Sequence, residues 1–132
     1  YNTGNAPALL DARTTGDGAG LIRFGFNGTT IYGGPQIAWK ENTSNLVTAT
    51  VILNAWTHIA VVRNNGILYM YNNGIPISTA TNSTSITVPF KYIAQTYNNL
   101  PFNGYIDDLR ITNGIARYTT AFIPPIQKLQ LK

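Results

Sequence analysis

Asn-Gly dipeptides punctuate this chain at short intervals, and that punctuation limits the fold more than any other feature. They fall at Asn27-Gly28, Asn65-Gly66, Asn73-Gly74, Asn103-Gly104 and Asn113-Gly114. Asn and Gly tolerate positive φ, which the tight type I′ hairpin turn demands at both central positions. Between the turns lie short runs of Val, Ile, Thr and aromatic residues, which suit a pleated, half-buried surface. Two hairpins in succession are predicted. Residues 56–63 (WTHIAVVR) turn through Asn64, Asn65 and Gly66 into residues 67–71 (ILYMY). Asn73-Gly74 then turns that strand into one beginning Ile75-Pro76-Ile77. Pro76 has no N–H for a ladder, so this third strand begins at an edge or with its amide side unpaired. An earlier hairpin is expected to join residues 21–26 to 29–32 through Asn27-Gly28. Residues 8–12, 36–40, 46–53, 91–95 and 105–112 complete the expected strands.

Helix signals are nearly absent. No stretch of about eleven residues carries an i, i+3, i+4 apolar stripe with caps. One turn is expected near residues 118–122, stopped by Pro124-Pro125, with an extended tail beyond. Many short strands with regular turns predict an all-β fold, a two-sheet antiparallel sandwich or jelly roll. The 132 residues are one domain's worth of chain.

Composition narrows the partners. Only 11% of residues are charged, against about 25% in a typical chain, so polar character rests on Asn and Thr. The net charge is +4, but Arg13, Arg23, Arg63, Arg110 and Arg117 are scattered singly. The one local basic cluster is Lys128 with Lys132. Nucleic-acid binding needs a basic stripe that neutralises several phosphates together, so a nucleic-acid partner is not expected. A neutral surface suits carbohydrate or another protein's β surface. No apolar run approaches the roughly 20 residues of a membrane span. Cys is absent, which excludes thiolate catalysis, a disulfide framework and a zinc knuckle.

The carboxylates argue against catalysis. There are five: Asp11, Asp17, Glu41, Asp107 and Asp108. Glycoside hydrolysis needs two carboxyls flanking the bond at a fixed separation. Asp107 and Asp108 are adjacent, so on a strand they point to opposite faces and cannot form a dyad. His58, the sole histidine, shares a strand face with Trp56 and Ala60 and reads as a packed residue with one satisfied nitrogen. No triad follows from it. Trp56 and Trp39 read as core. Sugars stack on exposed aromatic faces at loops, which makes Tyr32, Tyr92 and Tyr97 the candidates, with Asn98 and Asn99 as adjacent amides. Asp107 alternates with Leu109 and Ile111. If those two face the core, Asp107 points inward and needs donors or a cation.

Two stretches carry a family resemblance. Residues 56–74 (WTHIAVVRNNGILYMYNNG) and 102–125 (FNGYIDDLRITNGIARYTTAFIPP) resemble the laminin-G-like, concanavalin A-like jelly-roll domain. The second is especially similar to versions in phage tail fibres and virion appendages. It matches through Ile106, Asp107, Asp108, Leu109, Arg110 and Ile111, then Gly114 to Tyr118, then Phe122, Pro124 and Pro125. Leu9, Leu10, Asp11, Ala12 and Arg13 sit where such domains place a strand and a turn. The resemblance implies a laminin-G/concanavalin A-like jelly roll over residues 1–123 and an extended tail over 124–132. It implies a non-catalytic virion tail-fibre or surface-appendage domain, at the virion surface or otherwise extracellular. The expected partners are a host-surface glycan, other virion or appendage chains, and further copies of itself in a fibre. Tyr97, Asn98, Asn99 and Tyr32 are the expected glycan contacts. Related domains often hold Ca²⁺ through an acidic residue and backbone carbonyls, which makes Asp107 the calcium candidate. Two alternatives stand beside this: a structural capsid or tail decoration domain acting by protein–protein packing, and a bacterial extracellular adhesin module. Complete domains of the family carry further strands before the one resembling residues 9–13. Without them a sheet edge and part of the core are expected to lie open. Residues preceding Tyr1, or another chain, would then supply a strand.

Overall fold

The structure, a computed structural model, describes residues 7–14, 22–30, 34–41, 44–83 and 88–126. Eight strands and no helix form among them. One antiparallel sheet contains β1 (Ala8–Asp11), β2 (Ile22–Thr30), β3 (Gly34–Glu41), β4 (Ser44–Thr50) and β8 (Tyr92–Ile93). Its order is β4-β3-β2-β1-β8. The second sheet contains β5 (Ile59–Asn64), β6 (Ile67–Asn72) and β7 (Ile75–Thr81), in the order β5-β6-β7. The all-β, two-sheet sandwich read from the sequence is the fold that forms.

The two successive hairpins form where the turn chemistry puts them. Asn65 and Gly66 have φ of 49° and 75°, and Asn73 and Gly74 have 48° and 81°. Both pairs therefore hold the positive φ that a type I′ turn requires. Strand β7 is an edge strand, as Pro76 demands, and its register against β6 slips between Met70 and Tyr71, beside that proline. Asn27-Gly28 behaves differently. Strand β2 runs through it without turning, and the register against β3 shifts between Phe26 and Thr29. The dipeptide is thus absorbed as a bulge, because its backbone freedom serves a bulge as well as a turn. The link between β2 and β3, residues 31–33, lies outside the described residues.

The core follows from period-two alternation. Ile37 and Trp39 of β3, Val47 and Ala49 of β4, and Leu68 and Met70 of β6 all turn into one buried cluster, joined by Ala12 and Val51. Each such large side chain contributes about 1.5–3 kcal/mol by leaving water. Trp39 is 8% exposed, and its ring meets Phe90 edge-on at 5.9 Å and Phe24 at 6.2 Å. Strand β4 crosses β6 and β7 to join the sheets. There the Asn72 side-chain amide donates to the Thr50 carbonyl at 2.9 Å.

Four expectations fail, and each failure is non-local. Residues 105–112 form no strand, and Leu109 and Ile111 are 45% and 60% exposed. Their local β preference is intact, but no strand lies alongside to complete a ladder. Trp56, expected in the core, is 71% exposed, because β5 begins only at Ile59. Strand β4 ends at Thr50, so Ile52 and Leu53 lie outside it and are exposed. Residues 118–122 also make no helical turn. Their rings instead cover the outer face of β6. Tyr118 and Phe122 stack at 3.6 Å, and Phe122 lies 5.4 Å from Tyr71. Between β5 and residues 103–117 the sandwich opens into a cleft of about 2350 Å³.

Candidate functional site

The best-built polar feature starts at the end of β1. Asp11 and Arg13 stand two residues apart in extended chain, so both project to one side. The Arg13 guanidinium donates to Asp11 from Nε at 2.9 Å (Oδ1) and 3.1 Å (Oδ2), and from Nη2 at 2.8 Å (Oδ2). The Arg13 backbone N–H adds a bond to Oδ1 at 2.9 Å. Both side chains are almost wholly removed from solvent. Burial of two charges is tolerated only with such complete pairing. The Tyr97 backbone N–H donates to Asp11 Oδ2 at 3.2 Å, and the Arg13 guanidinium lies 4.8 Å over the Tyr97 ring.

This pair anchors the loop that sequence reading chose as the glycan rim. Thr96 is buried and closes the loop on itself. Its N–H donates to the Leu100 carbonyl at 3.1 Å, and its Oγ1 accepts the Leu100 N–H at 3.1 Å. The Asn99 N–H donates to the Thr96 carbonyl at 3.0 Å, and Thr96 Oγ1 donates to Asn98 Oδ1 at 2.6 Å. Asn99 takes a φ of 61°, a conformation that Asn tolerates better than most residues. The Phe102 N–H then returns to the Ala94 carbonyl at 2.7 Å. The result is a pinned loop with Asn98 and Asn99 exposed at its tip.

Tyr97, Asn98 and Asn99 are therefore brought together, while Tyr32 lies outside the described residues. Tyr97 is half-buried with the guanidinium over its ring, so it works partly as an anchor. Asp107 is exposed rather than turned inward, and it accepts the Asp108 N–H at 2.9 Å. The inward reading assumed that residues 105–112 alternate against a core, and they make no such ladder. Among the described residues no group of three His, Cys, Asp or Glu is placed to hold a metal. His58 meets the stacked Tyr118 and Phe122 rings edge-on, at 6.3 and 5.5 Å. Its Nδ1 is buried without a hydrogen-bond partner, so the one satisfied nitrogen expected of it is not Nδ1. Burial lowers its pKa from the ordinary 6.5, only partly offset by a backbone hydrogen bond.

Sequence reasoning missed the Asp11–Arg13 pair, although the Asp-x-Arg spacing on a strand was the available signal. It also missed an exposed aromatic pair. Trp56 and Tyr105, the latter 87% exposed, stand 6.5 Å apart at the cleft. No local signal marks them, because only the cleft puts them together.

A family model described as the concanavalin A-like lectin/glucanases superfamily, of the laminin-G type, matches residues 2–117. The chain belongs to this superfamily. The concanavalin A-like match spans both sheets, the pinned loop and the unpaired segment after Phe102 as far as Arg117. It agrees with the two-sheet architecture and with a fold of carbohydrate-binding or adhesion type. Neither the curated proteins nor the solved structures yield a match to this concanavalin A-like chain. Among its described residues no helix is long and apolar enough to cross a membrane.

Proposed function

We propose that this domain is a non-catalytic recognition module of a virion tail fibre or a similar surface appendage, and that its ligand is a neutral host glycan. The observation that carries the reading is the loop over Asp11 and Arg13. It shows two exposed amides, Asn98 and Asn99, on a backbone fixed before any ligand arrives. A site ordered in advance loses less entropy on binding. The two charges that anchor the loop are buried and neutralise each other, so they leave the tip suited to uncharged hydroxyls rather than phosphate or sulfate. The likeness of residues 106–111 and 114–118, with Phe122, Pro124 and Pro125, to fibre domains supports the setting. A fibre carrying several copies would turn weak single sites into strong attachment.

The test is a glycan array probed with the intact protein and with an Asn98→Ala/Asn99→Ala variant. Each amide hydrogen bond is worth about 0.5–1.5 kcal/mol, so affinity should fall about tenfold while the melting temperature stays unchanged. A protein that binds no glycan, or a variant that binds as well as wild type, would refute the reading.

A further inference from the structure

We infer that Asn113 is a modification site, at which the chain converts its own side-chain amide to a carboxylate through attack by the Gly114 backbone nitrogen. This inference is independent of the glycan reading.

An Asn-Gly pair carries the reagents of an intramolecular reaction. The Gly nitrogen gives up its proton and bonds the Asn side-chain carbonyl carbon. The bond from that carbon to the amide nitrogen breaks, and the nitrogen leaves with the proton as ammonia. The cyclic imide left behind takes up one water. Opening at the side-chain carbonyl gives aspartate. Opening at the main-chain carbonyl gives isoaspartate, whose backbone is longer by a methylene. Glycine hinders the attack least, because it has no Cβ. Closure also needs an Asn side chain that is free and a Gly nitrogen able to swing onto it. The Asn-Gly pairs share a sequence, so the fold ranks them.

Asn27-Gly28 lies inside β2, with pairing to β3 on both sides of it. Asn65-Gly66 and Asn73-Gly74 are locked at positive φ between paired residues, Asn64 with Ile67 and Asn72 with Ile75. Asn73 is tied further. Its Oδ1 accepts the His58 N–H at 2.9 Å, and its own N–H donates to the His58 carbonyl at 2.8 Å. Asn103-Gly104 has no ladder, but the Phe102 ring packs over Gly104, where a Cβ would fall 2.7 Å from Cε1 and Cζ.

Asn113-Gly114 has none of these restraints. No strand flanks it among the described residues, and both residues are exposed. Gly114 takes a φ of +82°, and beyond its chain neighbours no atom lies within 4 Å of the place a Cβ would take. Among the described residues the Asn113 side chain makes no hydrogen bond. A bond across the turn, from Arg117 Nε to Thr112 Oγ1 at 3.0 Å, holds a guanidinium on the residue before Asn113. A cation nearby favours the ionised amide nitrogen that attacks. The product carboxylate lowers the net charge of +4 by one unit and falls in the stretch that carries Arg110 and Arg117.

The test ages the folded protein in mildly alkaline buffer, digests it in acid, and reads aspartate and isoaspartate at each Asn-Gly pair by mass spectrometry. A second sample is aged in urea. The two bonds that hold Asn73 to His58 slow closure there, so Asn113 should convert about tenfold faster than Asn73 in the folded protein. In urea the two rates should converge, since only the shared sequence remains. Gly114→Ala should suppress conversion at Asn113 and leave Asn103 unchanged. Equal rates at Asn113 and Asn73 in the folded protein would overturn the inference. So would an Asn113 that stays intact there while it converts in urea. The wild-type comparison decides the matter even if the alanine variant fails to fold.

Discussion

Phe122 sits so close over Gly74 that its N–H donates to the Gly74 carbonyl at 3.0 Å, while a Cβ on Gly74 would fall on the Phe122 carbonyl. Gly74 thus meets two demands, the φ of +81° in the turn and the bare space under the returning chain. Gly66 meets only the first, because the nearest atom to its would-be Cβ is 3.9 Å away. Substituting alanine separates the two. Gly66→Ala should lose about 1–3 kcal/mol from backbone strain alone. Gly74→Ala should lose clearly more and should expose Tyr71, which urea unfolding and tyrosine fluorescence would show. Equal losses would mean that Phe122 does not clamp the hairpin.

The Asp11–Arg13 pair predicts a non-additive cycle. Arg13→Leu leaves a buried carboxylate without its guanidinium and should cost about 3–5 kcal/mol. The double change Asp11→Leu/Arg13→Leu removes both charges and should cost less than Arg13→Leu alone. Denaturant titration of the wild type, Asp11→Leu, Arg13→Leu and the double variant measures this. A double variant equal to the sum of the singles would show that the charges do not depend on each other.

His58 predicts a pH effect with a definite sign. Its folded pKa lies below the ordinary 6.5 because burial disfavours the imidazolium. The unfolded chain therefore binds the proton more tightly. The stability linked to His58 is complete above pH 6.5 and is lost as pH falls through the depressed folded value. Urea midpoints at pH 7.5 and 5.5 should differ in the wild type and converge in His58→Phe. No other histidine titrates in that window.

Glu41 ties the end of β3 to the residue that follows β7 through one oxygen. Its Oε1 accepts the Trp39 indole N–H at 3.0 Å and the Asn82 side-chain amide at 2.6 Å. Glu41→Ala removes this shared acceptor and should cost about 1–3 kcal/mol. Glu41→Gln keeps an acceptor oxygen and should cost less. Red-shifted tryptophan emission in the alanine variant would confirm that the indole has lost its hold.

What the sequence made legible was local. Asn65-Gly66 and Asn73-Gly74 specify their turns through backbone preference, and the hairpins follow. Pro76 marks an edge for the same reason. Trp39 was readable because it alternates with Ile37. Asn27-Gly28 was ambiguous, since a bulge and a turn use the same backbone freedom and only the pairing of β2 with β3 decides. Residues 105–112 have strand chemistry, but a strand needs a neighbour, and that neighbour cannot be read from its own residues. The same gap misplaced Trp56 and Asp107. In the candidate site, Asn98 and Asn99 were found from their loop context. The half-structural role of Tyr97 depends on Arg13, far away in the chain, and was invisible until the fold joined them.

The clasp of Phe122 on Gly74 also has a mechanical meaning. Beyond β8 the described chain has no strand ladder, so tension applied past Pro125 meets the stacked rings of Tyr118 and Phe122 first. It reaches them together with the single bond to Gly74 and the Tyr71 hydroxyl bond to the Tyr118 carbonyl. Such contacts yield one after another, like a zip, whereas strands pulled in shear must break their bonds at once. A domain tethered by this end would pay out slack under modest force before either sheet is disturbed.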